Sequence, residues 1–119
     1  MTDRELLELA AKAAGIVIHH WSDGRLPHEC PVLNDGINEY IRVFDPITDD
    51  GDALRLAVKL GLDVCIDTSH EREPHTHVIG FCTATSSETV DAIEGHGDPY
   101  AATRRAITRA AAEIGKVMK

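Results

Sequence analysis

Seven histidines, three cysteines and a knot of aspartates are the places where this chain could do chemistry. His75 and His77 stand two apart in "HTHVIGF", so on an extended strand they share a face. His70 lies beyond a Glu71-Arg72-Glu73-Pro74 turn, within reach across a hairpin. Three imidazoles there could hold a divalent metal and leave a fourth position for water, as a catalytic zinc site does. His70, His75 and His77 are therefore the metal candidates, and a small metal-dependent enzyme is the function they would serve. Two arguments weigh against them. They sit at a hairpin tip among charged residues, whereas a tuned metal site needs supporting hydrogen bonds from rigid elements. The chain also lacks the H-E-x-x-H and paired C-x-x-C spacings of zinc sites. The tip histidines are read as solvated, and no cofactor is expected.

The cysteines carry less. Pairing the two alternating runs of "LDVCIDTSHEREPHTHVIGFCTAT" so that apolar residues share a face sets Ile66 opposite Phe81. That register places Cys65 opposite Cys82 and His70 opposite His77, with the cysteines and histidines on opposite faces. Two small buried hydrophobes are the expectation for Cys65 and Cys82. Cys30 follows His28 in "PHEC", but neighbours two apart in a loop make no nucleophile-base pair without a third group to orient the base.

The aspartates of "DPITDDGDALRLAVKLGL" invite a calcium reading, which the spacing refutes. Registering an EF-hand loop on Gly51 puts Pro46, Thr48 and Asp50 at the early ligand positions and Ala57 where a bidentate Glu is required. The cluster instead reads as a helix start, with Asp49 or Asp50 as the cap and carboxylates at the positive helix end. "GHGDP" at Gly95 lacks the further glycine and preceding strand of a dinucleotide fingerprint, and there is no G-x-x-x-x-G-K phosphate loop. No catalytic set emerges, and the chain is read as a non-enzyme.

The elements that would position these residues are more legible. Thr2 and Glu5 form a capping box, and Leu6, Leu9, Ala10, Ala13 and Ala14 follow at helical spacing up to Gly15. A second helix spans 50–60, with Asp52, Arg55 and Lys59 as its polar stripe. The apolar residues Ala53, Leu54, Leu56, Ala57, Val58 and Leu60 cover the rest of its circumference, which predicts burial against more than one neighbour. Asp98 followed by Pro99 predicts a third helix running to about Val117 and burying Tyr100, Thr103, Ile107, Ala110, Ile114 and Val117. Arg104, Arg105 and Arg109 flank that stripe. Strands are predicted over "IVIHHW" and "EYIRVF" in addition to the hairpin, the segment 25–38 reads as a long loop, and "SSETVDAIEGHG" fits a short strand or a turn. "LAAKAAGIVI" and "LAVKLGLDV" share an L-A-x-K core, a terminal glycine and an immediate strand, a weak internal helix-strand duplication.

The expected fold is a single α+β domain, three helices on a small, mainly antiparallel sheet, in the order α-β-β-α-β-β-α. At 119 residues the chain has no room for two independent cores, and with 4% aromatics the core must be built from Ala, Leu, Ile and Val. Alanine faces let helices approach closely. The net charge of -8 disfavours nucleic acid, no apolar run is long enough for a membrane span, and the acidic amphipathic start is no signal peptide. Three cysteines without a secretion signal point to reduced thiols in a cytoplasm.

The blocks "MTDRELLELAAKAAGI", "PITDDGDALRLAVKLGL" and "DPYAATRRAITRAAAEIG" resemble the phage alpha-beta-alpha sandwich domain, a family of small tailed-phage and prophage proteins. The resemblance covers both ends and the centre of the chain, while 21–44 and the histidine-bearing tip are individual to it. It implies helices packed on a small sheet and a phage origin, and it implies no activity. The function expected is a protein-binding accessory module acting in the host cytoplasm on a host or phage protein. An acidic decoy for a host nucleic-acid-binding defence protein is a further reading, set back by acids interspersed with Lys and Arg. Self-association through an open strand edge is compatible with the sequence.

Overall fold

The computed structural model describes residues 2–22, 29–34, 40–67, 75–81, 89–95 and 99–118, of which 65–67, 75–81, 89–95 and 99 are described by their backbone. The fold is α+β. Its elements are α1 (Asp3–Ala14), β1 (His20–Trp21), β2 (Pro31–Val32), α2 (Asp50–Leu60), β3 (Asp63–Asp67), β4 (His75–Phe81), β5 (Thr89–Gly95) and α3 (Pro99–Val117). The predicted order gains a strand: the ambiguous segment before the last helix is β5.

The capping box forms as the sequence dictates. The Thr2 hydroxyl accepts the Glu5 N–H at 3.2 Å, and the Glu5 carboxylate accepts the Thr2 N–H at 3.2 Å. At the other end Gly15 takes a left-handed conformation, φ 71°. Ile16 N–H then reaches back to the Ala11 carbonyl at 2.9 Å. Gly61, φ 64°, repeats the device on α2, with Leu62 N–H bonded to the Ala57 carbonyl at 2.9 Å. Both are Schellman stops, which satisfy the last carbonyls and favour glycine because a left-handed residue with a Cβ is strained. The duplicated sequence pattern thus has a duplicated backbone solution, limited to the helix ends.

The acid cluster caps α2, as expected. Asp49 accepts the Asp52 N–H at 2.8 Å. Asp52 accepts the Asp45 N–H at 2.9 Å, and the Asp45 carboxylate accepts the Thr48 hydroxyl. Asp49→Ala removes an N-cap acceptor and is expected to cost about 1 kcal/mol, read as a melting temperature lowered by a few degrees. The Asp49–Arg55 pair at 3.7 Å adds little, being exposed on both sides.

α3 is the centre of the molecule. It packs chiefly on α1, and also on β4, β5 and α2. Ala106, Ala110, Ala111 and Ala112 are fully buried along it, and Leu7, Ala10 and Ala11 of α1 are equally covered. Small side chains on both helices allow the backbones to approach until a Cβ built on Gly115 would lie 2.0 Å from the Leu9 carbonyl oxygen. The seam is tied off where Lys12 Nζ donates to the Met118 carbonyl at 2.8 Å. Phe44, Leu56 and Ile107 extend this cluster towards α2.

Several expectations need correction. The buried face of α1 is Leu6, Leu7, Ala10, Ala11 and Ala14, rotated from the predicted stripe, so Leu9 and Ala13 are only half-buried. The rotation follows from packing: Leu9 meets Gly115 through its backbone, while its side chain stays half-buried. On α2 only Ala53, Leu56 and Ala57 are buried, whereas Leu54 and Val58 are exposed. On α3 the expected core residues Tyr100 and Val117 are exposed, while Ala102, Ala106, Thr108 and Ala111 are buried. A helix covered from two sides buries more than one stripe.

The strands depart further. β1 covers only the last two residues of "IVIHHW". Of "EYIRVF", the described residues 40–44 contribute an isolated bridge, Val32 to Val43, and no strand. Pro31, read as part of a loop, opens β2 opposite Trp21. Proline is tolerated at the first residue of a strand, and its carbonyl still accepts the Phe44 N–H at 2.9 Å. The β3–β4 register differs from the predicted one: Ile66 is opposite Thr76 and Cys65 is opposite His77. A pairing of β3 with β4 alone leaves out β5. With β4 in the centre of the order β3-β4-β5, the antiparallel register aligns Val64, Val78 and Ala92 in one apolar row across all three strands.

Candidate functional site

The sequence candidates do not assemble into a reactive centre that the structure describes. His75 and His77 lie on β4, at register positions opposite Asp67 and Cys65. His70, Cys82 and His28 lie outside the described residues, as does the expected cap Asp98. Among the described residues, no group of three or more His, Cys, Asp or Glu side chains gathers as a metal site would require.

Cys30 is described fully. It is completely buried, its N–H donates to the Ser22 hydroxyl at 3.1 Å, and its carbonyl accepts the Ser22 N–H at 3.0 Å. Burial pushes the thiol pKa up and Asp45 and Asp52 push the same way, against a hydrogen bond from Ser22 that lowers it. A thiol held protonated and out of solvent is a packing residue.

The arginines are more informative. Arg104 was expected to be a solvated flank, but its side chain is only 17% exposed. Its Nε donates to the Ile47 carbonyl at 2.8 Å and its Nη1 to Asp50 at 2.6 Å, fastening α3 to the turn before α2. Arg105 reaches Asp3 at 3.0 Å, Arg55 reaches Asp52 at 2.6 Å, and Arg4 lies 4.4 Å from the Trp21 ring while bonding Glu8 and Glu29. These pairs intersperse the acids with cations across the described surface.

What the fold does create is an apolar groove. It lies between α2 and the first turns of α3, with a volume of about 560 Å³. Ala53, Ala57 and Ile107 form its base, Val64 of β3 closes one side, and Leu54 and Tyr100 stand at the rim. The Arg104–Asp50 pair marks its polar end. Leu54 is 64% exposed and Tyr100 is 69% exposed, and Val58 continues the apolar rim one turn along α2 at 73%. Sequence reasoning assigned all three residues to the core, because helical periodicity identifies an apolar face without saying what covers it.

A second arrangement was also invisible to the sequence. His19 and His20 are consecutive at the entry to β1, and of the two only His20 is a strand residue. Their rings converge, with Nδ1 atoms 2.7 Å apart.

No helix among the described residues is long and apolar enough to cross a membrane. Set against known proteins, the chain matches no family model, no curated protein and no solved structure.

Proposed function

We propose that this chain is a non-catalytic protein-binding module, an accessory protein of phage or prophage origin acting in the host cytoplasm on a host or phage protein. In this reading its three helices and sheet form an alpha-beta-alpha sandwich, with the groove between α2 and α3 as the docking face. The groove is the observation that carries the proposal. Leu54, Val58 and Tyr100 leave apolar area in water, and fully covering one such side chain gains about 1.5–3 kcal/mol. Contiguous exposed apolar surface of this kind marks interaction sites more often than scattered apolar residues do. The partner would present apolar side chains to the groove and a polar or basic group to Asp50, which is 71% exposed at its end. The arginine–carboxylate pairs favour this reading over an acidic decoy, which needs carboxylates aligned without intervening cations.

The test is site-specific photo-crosslinking in a bacterial host carrying the phage or prophage, with the reactive group placed at Leu54 or Tyr100. Crosslinks to one defined protein are expected from both positions and not from Tyr40, which is 94% exposed and does not line the groove. Tyr100→Asp is expected to abolish capture with the melting temperature unchanged. Equal crosslinking from Tyr40, or capture that survives Tyr100→Asp, would refute the docking face.

A further inference from the structure

His19 and His20 are exposed, yet their backbone is held. His19 N–H donates to the Val32 carbonyl at 2.9 Å, and His20 pairs with Val32 in the β1–β2 register. The rings meet edge to face, with centroids 4.9 Å apart and planes at 75°. Contact is made through Nδ1 on both rings, at 2.7 Å. That separation has room for a single hydrogen, so one Nδ1 donates and the other offers its lone pair. Two imidazole nitrogens held this close fall within the span of adjacent ligands on one metal ion.

We propose that His19 and His20 form a two-imidazole site for a square-planar divalent ion, Cu²⁺ ahead of Ni²⁺ and Zn²⁺. The distance selects the geometry. Ligand nitrogens about 2.0 Å from a metal lie about 2.8 Å apart at a right angle and about 3.3 Å apart at the tetrahedral angle. The observed 2.7 Å is close to the first value, and the exposed rings must turn so that each lone pair leaves the N–N line and points at the ion. Square-planar nitrogen and oxygen coordination suits Cu²⁺ and Ni²⁺, and the Irving–Williams order places Cu²⁺ above both Ni²⁺ and Zn²⁺. On binding, the ion takes the place of the shared hydrogen, which passes by way of water to Nε2 of its own ring, so both rings stay neutral and both Nδ1 lone pairs coordinate. Water or an added ligand fills the remaining two positions. The site is independent of the groove and involves none of His70, His75 or His77.

The experiment is a titration of the full chain with Cu²⁺ alone, followed by residue-resolved NMR and electron paramagnetic resonance. Substoichiometric Cu²⁺ is expected to broaden His19, His20 and Val32 before other residues, and the resonance spectrum should carry two nitrogen couplings. His19→Ala and His20→Ala should each weaken binding by about tenfold or more, and the double variant should lose this first site. Both side chains are exposed, so the amide spectrum of each variant should otherwise match the wild type. Broadening centred on His75 and His77, unchanged affinity in the double variant, or no broadening at one equivalent would each overturn the site.

Discussion

Gly115→Ala is expected to lower the melting temperature by roughly 10 °C, although alanine is the better helix former. The helical preference favours alanine by about 1 kcal/mol. Against it stands a Cβ placed 2.0 Å from the Leu9 carbonyl oxygen, with the Leu9 carbonyl carbon at 2.9 Å. These are backbone atoms, so relief requires moving α1 away from α3, and overpacking of this kind costs about 3 kcal/mol or more. The steric term wins. Gly51→Ala is the control, because there the added Cβ would meet the end of the Arg55 side chain at 3.1 Å, which can swing aside. Thermal melts of the two variants decide the matter: a Gly115→Ala protein melting within about 2 °C of wild type would mean that the helices are not packed at this distance.

Leu7→Ala should be the most damaging truncation on α1, at about 3 kcal/mol in urea titration with an unchanged slope. Leu7 is 0% exposed in the seam, so its loss leaves a cavity between two helices whose neighbours are alanines and cannot spread to fill it. Leu54→Ala is the paired measurement. At 64% exposure it should cost under about 0.5 kcal/mol. The difference between the two leucines tests the packing and the docking face together. Equal losses would show that the α2 rim is part of the core, and the docking proposal would fall with it.

The helices were legible in the sequence because their signals are local. Thr2 with Glu5, Asp49, Gly15 and Gly61 each act within four residues, and the structure places all of them as the patterns imply. Burial was less legible, because it depends on neighbours. Leu54, Val58 and Tyr100 have the composition of a core and lie on a surface. Register failed for the same reason: a hairpin argued alone has one best apolar alignment, but β4 has partners on both edges and must satisfy both. Pro31 was misread because proline signals a turn unless something pairs on its carbonyl side. The His19–His20 contact is set at the entry to β1, where no periodic pattern dictates which way the two rings turn.

The helix pair at the centre of the molecule has a consequence for biogenesis. α1 emerges from the ribosome well before its principal partner α3, which begins only at Pro99. At typical elongation rates of about 5–20 residues per second, the Leu7 stripe waits for seconds without its counterpart. Its acidic, capped outer face and alanine-rich inner face make α1 a modest target for aggregation during that interval. Folding of this protein should therefore complete after α3 has been released from the exit tunnel.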